Sequence, residues 1–279
     1  MHTIIETRYS SHPGDIKHYD TQQLRTQYLI DNLFSPNQIM GVYSFYDRMI
    51  IGGISPRDFP LELESVDQLK SSYFLERREI GIINIASPTE IEVDGEIFSL
   101  GHKEALYIGK GVKSVIFHPS KEGKSHLYFN STPAHQTYPT KKIDKHLAEV
   151  LTLGSMENSN HRTIYKLIVN SAVQTCQLQM GMTELKPGSV WNTMPAHTHD
   201  RRMEAYFYFD LNEGQAVCHY MGQTDETRHI WIKSNEAVIS PPWSIHIGAG
   251  TSNYTFIWGM AGENLDYGDM DIVAPTDLK

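Results

Sequence analysis

Cysteine is scarce in this sequence. Cys176 and Cys218 are the only two among 279 residues, and they lack the close spacing of a zinc or redox pair. Two cysteines exclude a disulfide framework and fit a reducing compartment. Long apolar runs are missing too: nothing approaches the roughly 20 consecutive apolar residues of a membrane span. Residues 1–20 are polar and mixed in charge, without the apolar segment of a secretory leader. The sequence therefore predicts no signal peptide and no membrane partner. Basic residues are outnumbered, 24 Lys and Arg against 33 Asp and Glu, for a net charge of −9. That balance, with no basic helix-turn-helix stretch, argues against nucleic acid as a partner. What remains is the composition of a globular chain, 40% hydrophobic and 20% charged, long enough for one large domain or two small ones.

Histidine, by contrast, is plentiful, with 14 in the chain, and most are expected to be ordinary polar residues. One stretch stands apart: Pro195-Ala196-His197-Thr198-His199-Asp200-Arg201-Arg202-Met203-Glu204. In a strand, i and i+2 face the same side, so His197 and His199 offer imidazoles to one point. Glu204 has the wrong parity to continue that strand. Residues 200–203 are therefore expected to turn the chain, and Glu204 to open an adjacent strand. His246, closing Ser240-Pro241-Pro242-Trp243-Ser244-Ile245-His246, offers a fourth donor. Three imidazoles and one carboxylate suit a borderline divalent cation with a position left open for water or substrate.

Around this stretch the pattern is that of a β protein. Asp20, with Gln23 three residues on, has the form of a capping box, predicting a short helix that ends near Phe34-Ser35-Pro36. From residue 39 the apolar period becomes two, and short strands are expected at 39–46, 49–54, 73–85, 89–93, 97–100, 105–108, 114–118 and 126–130. Asp94-Gly95 marks a hairpin turn. Residues 132–162 break the pattern with Pro133, Pro139, Lys141-Lys142 and Gly154, and are expected to connect two domains; Lys141 and Lys142 are either a solvated face or a hold on an anion. Strands resume at 163–169, 175–185, 189–194, 216–221, 229–232, 237–240 and 254–260, and residues 263–279 read as a surface tail.

The halves repeat. Phe74-Leu75-Glu76-Arg77-Arg78-Glu79-Ile80-Gly81-Ile82-Ile83 parallels residues 198–207, and residues 104–111 parallel 236–243. The sequence therefore predicts an all-β protein of two β-barrel domains of one type with a short N-terminal helix. The expected divisions are an extension at 1–38, a first barrel at 39–131 without metal ligands, a linker at 132–162, and a metal-binding barrel with tail at 163–279. Leu75 stands where the second repeat has histidine, so the first barrel is expected to serve structure or assembly.

The second half resembles the cupin pattern, a His-x-His, a Glu a few residues on, and a Pro-led turn ending in His; Trp243 stands where that pattern has Gly. That the barrels are cupin-type (jelly-roll) domains is what the resemblance of the second half implies. Beyond the superfamily, the chain resembles the 5-keto-4-deoxyuronate isomerases over nearly its whole length. The likeness is carried by residues 72–79, Thr137-Tyr138-Pro139-Thr140-Lys141-Lys142, Trp191-Asn192-Thr193-Met194-Pro195, residues 197–209, Met221-Gly222-Gln223, Glu226-Thr227-Arg228-His229 and Ser244-Ile245-His246. The resemblance implies one Zn2+ per chain on His197, His199, Glu204 and His246, a homohexamer, and a cytoplasmic role in breaking down unsaturated uronates from pectin. It also implies the reaction, conversion of 5-dehydro-4-deoxy-D-glucuronate to 3-deoxy-D-glycero-2,5-hexodiulosonate. A proton moves from a hydroxyl-bearing carbon to the aldehyde carbon through an enediolate that a divalent cation stabilises.

The proton-carrying residue stays open at this level. Tyr206 and Tyr208 share the parity of Glu204 and either line a cavity or fill a barrel. Glu226 and His229 are further acid–base candidates, and His219 reads as a structural histidine. Arg162, Lys166, Arg201 and Arg202 are unranked candidates for holding an anionic substrate; Arg202 is equally a candidate for orienting a ligand. Trp191, Thr193 and Pro195 share the parity of His197 if their strand is unbroken. The ligand set alone also permits an iron-dependent dioxygenase, or a cupin that binds a sugar acid without turnover.

Overall fold

The computed structural model describes residues 2–263 and 268–279. In chain order its strands begin with β1 (Thr3–Arg8), β2 (Leu29–Ile30), β3 (Gln38–Ser44), β4 (Ile50–Ser55), β5 (Leu61–Glu62), β6 (Arg78–Asn84), β7 (Thr89–Val93) and β8 (Glu96–Leu100). There follow β9 (Ala105–Ile108), β10 (Val115–Phe117), β11 (Leu127–Pro133), β12 (Lys141–Ile143), β13 (Glu149–Leu153), β14 (Arg162–Ile168), β15 (Gln179–Leu185) and β16 (Trp191–Asn192). The last are β17 (Ala196–Thr198), β18 (Arg202–Phe209), β19 (Val217–Gln223), β20 (Glu226–Ile232), β21 (Glu236–Ser240), β22 (Ile247–Gly250), β23 (Thr255–Gly262) and β24 (Asp271–Val273). Two short helices, α1 (Pro13–Ile16) and α2 (Thr21–Tyr28), lie between β1 and β2.

The chain forms two compact units. The first comprises Met1–Tyr9, Asn32–Glu149 and Lys166–Met180, and the second Ser10–Asp31, Val150–Tyr165 and Gly181–Lys279. Their topologies repeat strand for strand. One has a seven-stranded sheet β1-β3-β4-β11-β6-β9-β12 and a four-stranded sheet β5-β10-β7-β8. The other has β13-β14-β15-β23-β18-β21-β2 and β16-β22-β19-β20. In the first unit both sheets feed one core: Ile80 and Ile82 of β6 and Phe129 of β11 cluster with Ile91, Leu100 and Phe117 of the smaller sheet. This is the expected all-β jelly roll, made of facing open sheets rather than a closed ring of strands.

The duplication places β6 and β18 at the same point of their sheets, each opened by a buried arginine, Arg78 or Arg202. By that offset Ile80 stands where the second unit has Glu204, and Leu75 where it has His199. Among the described residues a single cluster of His, Cys, Asp or Glu side chains is close enough to hold a cation, and it lies in the second unit.

Several expectations change. The capping box is present, with the Asp20 side chain accepting from Gln23 N–H and the Gln23 side chain accepting from Asp20 N–H. The helix ends at Tyr28 rather than near Phe34, because Leu29 turns extended (ψ 136°) and Leu29–Ile30 pair with Val238 and Ala237. The N-terminal residues are not a plain extension: β1 runs parallel to β3, with Thr3 opposite Ile39. Residues 132–162 carry β12 and β13, which the proline and lysine content concealed. The expected strand at 189–194 shortens to two residues and stops before Thr193, whose φ of 53° is left-handed. Parity therefore does not run from Trp191 through to His197. The tail is not passive either, since β24 pairs with β17. Asp94-Gly95 forms the expected two-residue hairpin, with φ of 47° and 90° and Val93 opposite Glu96.

Candidate metal centre

Strand β18 anchors the site. All eight of its residues are buried, and it is hydrogen-bonded on both sides, with Glu204 opposite Met260 on β23 and Ser240 on β21. Glu204 lies two residues inside the strand rather than at its start. Strand β17, which carries His197, pairs with β24 and not with β18, so His197 and Glu204 come from strands that are not ladder neighbours. His199 follows β17 and is tethered by its N–H to the Pro242 carbonyl at 3.1 Å. His246 is set by a turn in which Ser244 N–H donates to Pro241 at 3.0 Å. Ser244 Oγ accepts from Gly222 N–H and donates to the Ile245 carbonyl, fixing that turn on β19.

The four side chains meet: one donor atom from each of His197, His199, Glu204 and His246 lies within 4.8 Å of every other. His246 Nε2 is 3.0 Å from His197 Nε2 and 3.7 Å from Glu204 Oε1, while His199 Nε2 is 2.7 Å from Glu204 Oε1. Donors placed about 2.0–2.2 Å from one centre have separations of this order.

Protonation supports the same reading. His199 Nδ1 lies 2.6 Å from the Asp269 carbonyl, which can only accept, so Nδ1 donates there and Nε2 is the ring nitrogen directed at Glu204. His246 Nδ1 faces the Ser244 carbonyl at 3.3 Å in the same sense. Burial, reinforced by His246, pushes His197 down to about 3. Burial also pushes His246 down to about 4, against the pull of Glu204. Both imidazoles are therefore neutral at neutral pH, as metal binding requires. Burial alone would raise the Glu204 carboxyl, but the surrounding imidazoles outweigh it and hold it below its usual range. His199 Nε2 is buried without a hydrogen bond although a carboxylate oxygen is beside it. A buried ring nitrogen without a hydrogen bond, beside a carboxylate and two further imidazoles, is the donor chemistry of a cation site, so the donor set fits a divalent metal ion.

The cluster lines a cavity of about 240 Å³ in the second unit. Its floor crosses four neighbouring strands, with Arg162 and Ile164 on β14, Thr183 on β15, Trp258 on β23 and Tyr206 on β18. Tyr206 is 3% exposed, its ring centroid lies 5.3 Å from that of His246, and its hydroxyl is 2.9 Å from Thr193 Oγ1. Tyr208, on the same face, is turned to other use: its hydroxyl pairs with His219 Nδ1 at 2.8 Å, both groups fully buried. Burial lowers His219 to about 3, the behaviour of a structural histidine.

Glu226 and His229 do not join the site. Both are exposed on β20, and neither lines the cavity. Of the basic candidates, Arg162 and Arg202 line the cavity. Arg201 pairs with Glu263 at the surface, and Lys166 pairs with Glu149 at 2.6 Å. Lys141 donates to the Ala172 carbonyl, and Lys142 to the Ser99 carbonyl and Glu104. Arg202 is 1% exposed and donates from Nη2 to the Asp269 carbonyl at 3.3 Å, the same oxygen that fixes His199. That oxygen belongs to the backbone, so residue type gave no signal of it.

Two jelly-roll units, one with three histidines and a glutamate gathered at a cavity, define a cupin-type protein with a group that can hold a metal ion. The KduI/IolB family matches residues 60–273, and the chain belongs to that family. It is 57% identical, over the full length of both chains, to the 4-deoxy-L-threo-5-hexosulose-uronate ketol-isomerase of Formosa agariphila. It is 55% identical, again over the full length of both, to the enzyme of that name from Bacteroides fragilis. Among solved structures, an IolB-like protein from Salmonella typhimurium LT2 superposes with a TM-score of 0.66 at 13% identity, over 81% of this chain and 87% of that one. Oxalate decarboxylase from Bacillus subtilis, at pH 4.6, gives 0.54 at 10% identity, over 81% and 70%. At these identities the two structures share the fold.

Proposed function

We propose that this protein is the ketol-isomerase of 4-deoxy-L-threo-5-hexosulose uronate. It is an intramolecular oxidoreductase that moves the carbonyl from the terminal carbon to its neighbour. The observation that carries the reading is the 57% identity over the whole chain to a relative of that name, and the His/Glu group is consistent with metal dependence. The relatives do not favour the dioxygenase or the non-catalytic binder. The finer reading is one Zn2+ per chain on His197, His199, Glu204 and His246, a homohexamer, and cytoplasmic work on pectin-derived uronates. No helix among the described residues is long and apolar enough to cross a membrane.

The substrate has an aldehyde next to a hydroxyl-bearing carbon at one end and a carboxylate at the other. Isomerisation removes a proton from the hydroxyl-bearing carbon and returns one to the aldehyde carbon, with no external oxidant. His197, His199, Glu204 and His246 would hold a divalent cation, which would supply Lewis-acid stabilisation of the negative charge that develops on the substrate. The protein holds the imidazoles of His197 and His246 neutral, and Trp258 and Ile164 give the cavity apolar walls that limit water. Tyr206 is the group we assign to proton transfer, with its hydroxyl steadied by Thr193. The test is turnover under argon, with the product identified by nuclear magnetic resonance. The expected result is loss of the aldehyde signal and growth of a ketone without oxygen. A requirement for oxygen, or tight uronate binding with no product, contradicts the reading.

A further inference from the structure

We infer that Arg162 holds the substrate carboxylate, and so sets the preference of the site for uronates over uncharged sugars. The inference rests on the isomerase reading above. A carboxylate brought into an enclosed, largely apolar cavity needs a cationic partner, and guanidinium is the group whose fork matches it. Among the described residues the cavity presents two cations, Arg162 and Arg202. Arg202 is 1% exposed, opens the strand that carries Glu204, and donates to the carbonyl that also fixes His199. It stands at the metal end of the cavity and positions a donor there.

Arg162 stands at the other end. The strand order β14-β15-β23-β18 puts it three strand steps from Glu204, about 14 Å between backbones at the usual spacing. Arg162 and Glu204 line one cavity, with Thr183 on β15 and Trp258 and Met260 on β23 lining it on the strands between them. The six-carbon substrate carries its reacting carbonyl and its carboxylate at opposite ends, roughly 6 Å apart when extended. A carboxylate at Arg162 leaves the aldehyde end directed at the three histidines and Glu204, and the opposite orientation places the anion beside Glu204. Arg162 is half-buried, so its head is reachable from the cavity, and its Nη1 donates to the Asn160 carbonyl at 2.9 Å.

The test compares the natural acid with its methyl ester, which removes the charge for one added methyl group, on wild-type protein and on Arg162→Gln and Arg162→Lys. The wild type is expected to favour the acid through KM by about 30-fold or more, the scale of a truncated buried charge pair. Arg162→Gln is expected to raise KM for the acid by a similar factor. It should leave kcat and metal content near wild type and bring the acid-to-ester preference close to one. Arg162→Lys keeps charge without the fork and is expected to fall between, which preserves the test if the glutamine variant folds poorly. An acid preference that survives in a folded Arg162→Gln protein overturns the assignment. A wild type that turns over neither compound overturns the isomerase reading instead.

Discussion

The Nε2 atom of His199 lies 2.7 Å from Oε1 of Glu204, in a pair whose side chains are 2% and 6% exposed. The Asp269 carbonyl engages the other ring nitrogen, so the pair directs Nε2 and a carboxylate oxygen at one buried point. That point suits a cation shared by both. Glu204→Gln removes the anionic donor while keeping shape. Metal affinity is expected to fall by at least the roughly 10–100-fold that loss of an outer partner costs, with the protein still folded. Elemental analysis after dialysis checks this, and an unchanged metal content contradicts it.

Stability of the metal-stripped protein is expected to depend on pH through His197 and His246. Their folded values are about 3 and about 4, chiefly through burial, against about 6.5 in an unfolded chain. Between these limits the unfolded chain binds protons that the folded chain does not, so stability falls as pH falls from about 6.5 toward 4. Melting temperature measured across that range should decline, and His246→Asn should flatten the decline. A profile unchanged by that substitution contradicts the origin assigned to it.

Tyr206→Phe removes the hydroxyl that pairs with Thr193 and keeps the ring against His246. A fall in kcat of roughly 10²–10⁴ is expected, the usual worth of a positioned acid or base, with metal content and KM little changed. His229→Asn and Glu226→Gln alter exposed positions on β20 and should leave kcat within about twofold of wild type, as surface changes usually do. Steady-state kinetics on the three variants decides between these groups.

In the first unit Glu79 is wholly buried and accepts from the N–H groups of Cys176, Gln177 and Leu178 at 2.8–2.9 Å. It also accepts from the Tyr107 and Thr132 hydroxyls. The carboxylate thus pins residues 176–178 to β6. Glu79→Gln turns an amide donor onto groups that themselves donate. It is expected to cost about 3 kcal/mol or more, the loss of one or two charge-assisted bonds. Denaturant unfolding followed by circular dichroism measures it, and a change below about 1 kcal/mol, the net worth of one ordinary hydrogen bond, contradicts the role.

How much of this was readable beforehand depended on whether the signal was local. His197, His199, Glu204 and His246 were legible because parity and a Pro-led turn constrain residue type at each position. The duplication was legible through Arg78 and Arg202, which open matching strands. What stayed hidden rests on non-local pairing. Strand β1 finds its place only through β3, more than 30 residues on, and β24 only through β17. The exposed strand β13 has no alternation to reveal it, every residue being exposed. The break at Thr193 is a backbone event that no periodicity marks. Arg162 lines the cavity while Lys166, on the same strand, and Arg201 do not, a difference that residue type does not carry.

The central claim is that His197, His199, Glu204 and His246 together hold the cation on which isomerisation depends. The direct measurement is activity of stripped protein toward 4-deoxy-L-threo-5-hexosulose uronate as Zn2+ is added back, with bound metal quantified in the same samples. The account predicts no turnover without metal and activity rising in proportion to occupancy up to one ion per chain. Full turnover in protein shown to be free of metal would contradict it.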